Sequence, residues 1–196
     1  MGNVAAADIV STFGLAIALA ACAGLRAWLP LLLAGGLSRA GLLDLGESFR
    51  FLSGNQALAL FAAATVIEVL GDKVPVVDHT LDALSTVLRP AAGAVLAASV
   101  FGRITEPLQA ITLGVAIGAP SALVPHAGKA ALRAASTALT AGVANPALSL
   151  VEDGLTIVLF VLAVVVPIVV AAILLAVGVL LLRRLLTRGR AAAPAA

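Results

Sequence analysis

Two short polar stretches, set in an otherwise apolar chain, carry the residue types that can hold or move a charge. In the first, Asp78, His79 and Asp82 precede Ser85 and Thr86; in the second, Lys129 and Arg133 precede Ser136 and Thr137. Aligned 51 positions apart, Asp78 and Asp82 fall on Lys129 and Arg133, and the two Ser-Thr pairs coincide. A spacing of four puts each charged pair on one helix face. Asp82, Ser85 and Arg89 extend the first face, and Ser136 and Thr140 extend the second. Glu68 and Asp72 repeat the spacing, and Glu152-Asp153 add acid before the last apolar run.

Clustered carboxylates suit a cation or a proton relay, and hard oxygen ligands favour Mg²⁺, Ca²⁺ or Mn²⁺ over softer metals. The competing reading is structural. Opposite stripes on two helices neutralise each other and fix register, with little net stability because desolvation offsets the attraction. For Glu152-Asp153 the structural reading is a helix N-terminus favoured by acidic charge. Arg26, in Gly24-Leu25-Arg26-Ala27-Trp28-Leu29-Pro30, is a further intramembrane charge. It reads either as a counter-charge to Glu68 or an anionic ligand, or as an arginine snorkelling beside an interfacial Trp28. Pro30 deprives the Arg26 carbonyl of its usual helical donor, which predicts a break there.

These residues need a membrane scaffold. The 196-residue chain is 62% hydrophobic and 11% charged, whereas soluble domains carry about a quarter charged residues. Five apolar runs are long enough, or nearly so, to cross a bilayer: Ile9 to Leu37, Ala57 to Leu70, Pro90 to Gly102, Leu108 to Val124 and Leu155 to Leu182. Their unbroken apolar character excludes a barrel's alternation. The expected fold is an all-α, multi-pass transmembrane bundle, with the two polar stretches as re-entrant or interfacial helices. Pro120 is expected near the end of the fourth span and Pro167 as a kink in the fifth.

Residues 1–190 form one membrane domain in this reading, with 191–196 a disordered, low-complexity tail. The similarity between the stretches suggests an internal duplication of 56–102 and 108–182 as parallel repeats. Basic residues collect on the cytoplasmic side of membrane proteins. Five spans then put the N-terminus outside, and Arg39, Arg50, Arg103 and the arginine-rich C-terminus inside a bacterial cytoplasmic membrane. Both polar stretches fall on the outer side.

Several chemistries lack their motifs. A net charge of +2 with its arginines after the last span reads as membrane anchoring, not as nucleic-acid binding. His79 and His126 have no second His or Cys at zinc spacing. There is no Gly-x-Ser-x-Gly elbow and no phosphate-cradling glycine loop. Leu19-Ala20-Ala21-Cys22 looks like a lipoprotein box, but no basic start precedes it and the apolar run continues, so an uncleaved first span is expected.

Gly24 to Pro30, Glu68 with Gly71-Asp72-Lys73-Val74-Pro75 and Asp78, Lys129 with Arg133, and Asn145-Pro146 through Glu152-Asp153 together carry a resemblance. The chain resembles the bacterial integral-membrane family called domain of unknown function 4126, over about Val10 to Leu182. That resemblance implies a multi-pass inner-membrane protein without assigning an activity, cofactor or metal. From the residues, the expected function is a small channel- or carrier-like protein for a cation or small polar solute. Its candidate site is Glu68, Asp72, Asp78, Asp82, Lys129 and Arg133, with Arg26, Glu152 and Asp153. A non-catalytic scaffold for a partner protein or a homo-oligomer is the alternative. An intramembrane enzyme on lipid, with Asp72 or Asp78 on a metal, ranks below both.

Overall fold

A computed structural model describes residues 6–72 and 75–167, with 169, 173, 176–180 and 183–184; for 75–83 it describes the backbone alone. Among these residues every regular element is a helix, without strands. The helices are α1 (Ala6–Leu25), α2 (Trp28–Arg39), α3 (Asn55–Gly71), α4 (Pro75–Phe101), α5 (Pro107–Leu113), α6 (Ala119–Thr140) and α7 (Asn145–Val165). A 3₁₀ turn, Glu47–Ser53, precedes α3, and a π-turn, Gly114–Gly118, joins α5 to α6. Four helical stretches are long and apolar enough to cross a membrane, five if the 3₁₀ turn and α3, bent by 57°, count as one. The chain is a multi-pass membrane protein.

Helix α1 is the central post. Ala16, Ala18, Leu19, Ala20 and Ala23 are fully enclosed, packed with Leu96, Val100 and Phe101 of α4 and Phe160 of α7. Small residues permit the close approach that van der Waals packing in lipid requires. A Cβ on Gly24 would lie 2.1 Å from the Ala122 carbonyl oxygen, and one on Gly118 would lie 2.4 Å from that of Gly93.

The expected first span, Ile9 to Leu37, divides at Arg26-Ala27 into α1 and α2. Pro30 falls in the first turn of α2, where its missing N–H is needed by no helical partner. The two halves run in opposite directions. The Phe13 ring of α1 packs edge-on against Phe101, with centroids 4.9 Å apart. Beyond α2, the Gly46 N–H donates to the Ser99 carbonyl at 2.8 Å. Both contacts lie at the C-terminal end of α4, so α2 returns toward the end from which α1 set out. Asp44 and Arg103 pair at that same end, at 3.4 Å. The N-terminal end of α1 therefore shares an end of the bundle with Arg39, Arg50 and Arg103, which corrects the expected opposition.

The two polar stretches are continuous with spans. The first opens α4, which runs unbroken through Pro90; the second closes the 34-residue rod Pro107–Thr140, which runs through Pro120 and Pro125. The chain breaks before the first stretch and after the second. A rod can carry these charges because Lys129 and Arg133 face inward and are 4% exposed. The expected single span Leu155 to Leu182 is also divided, at Val166 (φ −135°, ψ 63°), before Pro167. Val177 lines a cavity with Leu148 and Glu152, which sit toward the other end of α7 from Val165. A straight continuation would carry residue 177 about 18 Å past Val165. The disordered tail expected at 191–196 lies outside the described residues.

Gly24→Ala should lower stability by about 1–3 kcal/mol through overpacking against backbone. Gly36→Ala, whose Cβ meets nothing within 4 Å, should be neutral or stabilising by up to about 1 kcal/mol. Thermal melts of the two purified variants against wild type check the contrast.

Candidate functional site

The break between α1 and α2 leaves unpaired backbone groups inside the bundle. The first N–H groups of a helix and the last carbonyls have no intrahelical partner, and they carry partial positive and negative charge respectively. Glu68, near the end of α3, supplies the acceptor. Its carboxylate takes the Ala27 N–H at 3.0 Å and the Trp28 N–H at 3.3 Å. Lys129 of α6 supplies the opposite charge, donating to the Leu25 carbonyl at 3.5 Å. Each cut end thus meets a side chain of complementary sign.

Around this break the ionisable groups interlock. Arg26 has no exposed surface, and its guanidinium bonds the Asp72 carboxylate, the Ser149 hydroxyl at 2.8 Å and Asp153 at 2.7 Å. Asp72 Oδ2 also pairs with Lys129 at 3.4 Å and with Arg133 at 3.1 Å. Glu152 joins the same two cations, with Lys129 at 2.8 Å and Arg133 forking over both oxygens at 3.4 Å. Arg89 of α4 lies 3.8 Å from Glu68, and its Nη1 is 2.8 Å from His126 Nδ1. Arginine can only donate, so the ring nitrogen is the acceptor in that contact.

The described side chains of this cluster are four cations (Arg26, Arg89, Lys129, Arg133) and four carboxylates (Glu68, Asp72, Glu152, Asp153). They come from the α1–α2 break and from α3, α4, α6 and α7. Burial alone would raise the Asp72 carboxyl; Lys129, Arg26, Arg133 and Arg89 outweigh it and hold it below the usual carboxylate range.

Seven of the nine expected site residues meet here: Arg26, Glu68, Asp72, Lys129, Arg133, Glu152 and Asp153. The side chains of Asp78 and Asp82 lie outside the described residues, as does that of His79. Lys129 and Arg133 find partners in Asp72 and Glu152. Arg26 touches the Glu68 backbone carbonyl at 3.5 Å, while the Glu68 carboxylate turns to the backbone N–H groups and Arg89. Arg89 and His126 belong to the cluster but were not among the expected site residues. The stripe Asp82-Ser85-Arg89 was the signal for the first; nothing in sequence marks the 37-residue step from Arg89 to His126. Ser149 lies in a stretch that carries the family resemblance but was not among the expected site residues. Among the described residues, no three of His, Cys, Asp and Glu are placed to hold a metal ion.

The family model for the domain of unknown function DUF4126 matches residues 13–187, and the chain belongs to that family. No curated protein and no solved structure matches it.

Removing one partner of a buried ion pair leaves the others uncompensated, so Asp72→Asn should cost about 3–5 kcal/mol. The stabilisation from Asp72 is fully present above the ordinary aspartate value of about 3.9. It is lost as pH falls through the lower value held in the folded protein. Melts across acidic pH should therefore show an acid-sensitive component in wild type that is absent in Asp72→Asn.

Proposed function

We propose that this protein is a small carrier-like protein of the cytoplasmic membrane, and that the buried ion-pair cluster is where it holds a small cation or polar solute. The broken helix carries this reading. In secondary transporters, discontinuous helices turn half-helix N-termini toward anionic groups, and carbonyl ends toward cations. Here the Glu68 carboxylate and the Lys129 ammonium occupy those two places. A cation that displaced the Lys129 ammonium would meet the Leu25 carbonyl, Asp72 and Glu152, a set of hard oxygen ligands. Support for a polar solute comes from Arg26: its Nε is buried and has no hydrogen-bond partner among the described residues, an arrangement that costs about 1–3 kcal/mol.

Arg39, Arg50 and Arg103 gather at the end of the bundle opposite the cluster, while Val177 returns to the cluster end ahead of Arg183 and Arg184, so the positive-inside rule favours neither end as cytoplasmic. Among the described residues, the balance of four cations against four carboxylates favours a second reading, a scaffold in which the charges only lock the helices.

Flux of cations and small polar solutes into vesicles containing purified protein separates the two. Under transport, Asp78→Asn should abolish flux while folded yield is largely kept. Under the scaffold reading, no wild-type flux appears for any solute, and exchanging the charges of Lys129 and Glu152 restores the stability that either single change removes.

A further inference from the structure

We propose that a second site beside the cluster, open to the bilayer, binds an anionic single-chain amphiphile. A cavity of about 270 Å³ lies between α6, α7 and Val177. Its walls include Leu25, Val124, Leu132, Leu148 and Val151, and two charged side chains also line it, Lys129 and Glu152. Leu132, Val151 and Leu155 are 53%, 65% and 44% exposed on helices that cross the membrane. The mouth therefore faces lipid. The volume lies just below the roughly 300–1,000 Å³ of small-molecule sites, which suits one alkyl chain and not a two-chain lipid. Apolar walls favour a chain over a hydrated solute, since polar groups lose water there without replacement.

The head group follows from the charges. At the cavity, Lys129 is held by Glu152 at 2.8 Å, and Arg133, one turn further along α6, forks over the same carboxylate at 3.4 Å. An anionic head reaching that end competes with Glu152 for two cations that a carboxylate or phosphate can satisfy. A neutral head would gain neither charge. This is binding in its own right and requires no solute movement, so it stands whether or not the carrier reading does.

The competition gives an unusual sign. Glu152→Gln removes the internal competitor and should tighten binding, whereas Lys129→Met should weaken it. Gly128 also lines the cavity, and a Cβ there meets nothing within 4 Å, so Gly128→Leu should fill the site without disturbing the cluster.

The test is equilibrium binding of radiolabelled dodecanoate to the full chain in phosphatidylcholine nanodiscs, measured above protein-free discs, with a melt of each variant. Saturable binding is expected, with dodecyl phosphate competing and dodecanol and acetate failing to compete. Glu152→Gln should lower Kd by at least about tenfold, and Lys129→Met should raise it similarly. Gly128→Leu should abolish binding without lowering the melting temperature. Absence of saturable binding, equal competition by dodecanol, or a folded Glu152→Gln protein that binds no more tightly than wild type overturns the proposal. None of these readouts measures flux.

Discussion

The helix break at Arg26-Ala27 is the constraint on which the rest of the structure depends. Pro30 cannot donate to the Arg26 carbonyl, so one helix must stop and another begin inside an apolar bundle. Two opposite partial charges are exposed there, and lipid offers nothing to satisfy them. Glu68 and Lys129 meet those ends, but each is itself a charge that needs company. Asp72, Glu152, Arg89 and Arg133 answer that need, and every addition draws in another helix.

This recruitment accounts for the architecture as much as apolar packing does. Helix α3 must end where Glu68 and Asp72 reach the break, and α6 must run on until Lys129 and Arg133 arrive. Helix α7 must begin near enough to place Ser149, Glu152 and Asp153 against Arg26. Small residues on α1 and α4 let the backbones come close enough for these side chains to interlock. Buried ion pairs contribute little net stability compared with apolar residues of similar volume. Their value lies in specifying one arrangement.

Much of this was legible from residue types. A chain with few charges that nevertheless places Arg26, Glu68, Asp72, Lys129 and Arg133 in apolar surroundings announces a buried polar site. The motif Arg26-Ala27-Trp28-Leu29-Pro30 announces the break. The pairing was not legible, because residues 19 to 127 positions apart leave no local pattern to say which carboxylate meets which cation. Thus Asp72 and Glu152 were not singled out as the partners of Lys129 and Arg133, and Ser149 was not among the expected site residues. Helix direction was equally hidden. Hydropathy reads Ile9 to Leu37 as one crossing, whereas the return of α2 shows only in contacts such as Gly46 to Ser99. Polar stretches read as separate re-entrant helices for the same reason: an inward-facing charge and a solvated one look identical in sequence.

A double-mutant cycle between Arg26 and Asp72 tests the central claim most directly, using Arg26→Met, Asp72→Leu and the pair, with unfolding free energies measured in detergent. Groups in one network couple by about 0.5–3 kcal/mol, while independent sites add within about 0.3–0.5 kcal/mol. Coupling in the upper part of the first range is expected, the double variant being more stable than the sum of its single changes allows. Simple additivity would mean that the two residues do not share a buried, mutually dependent cluster, and would contradict the account.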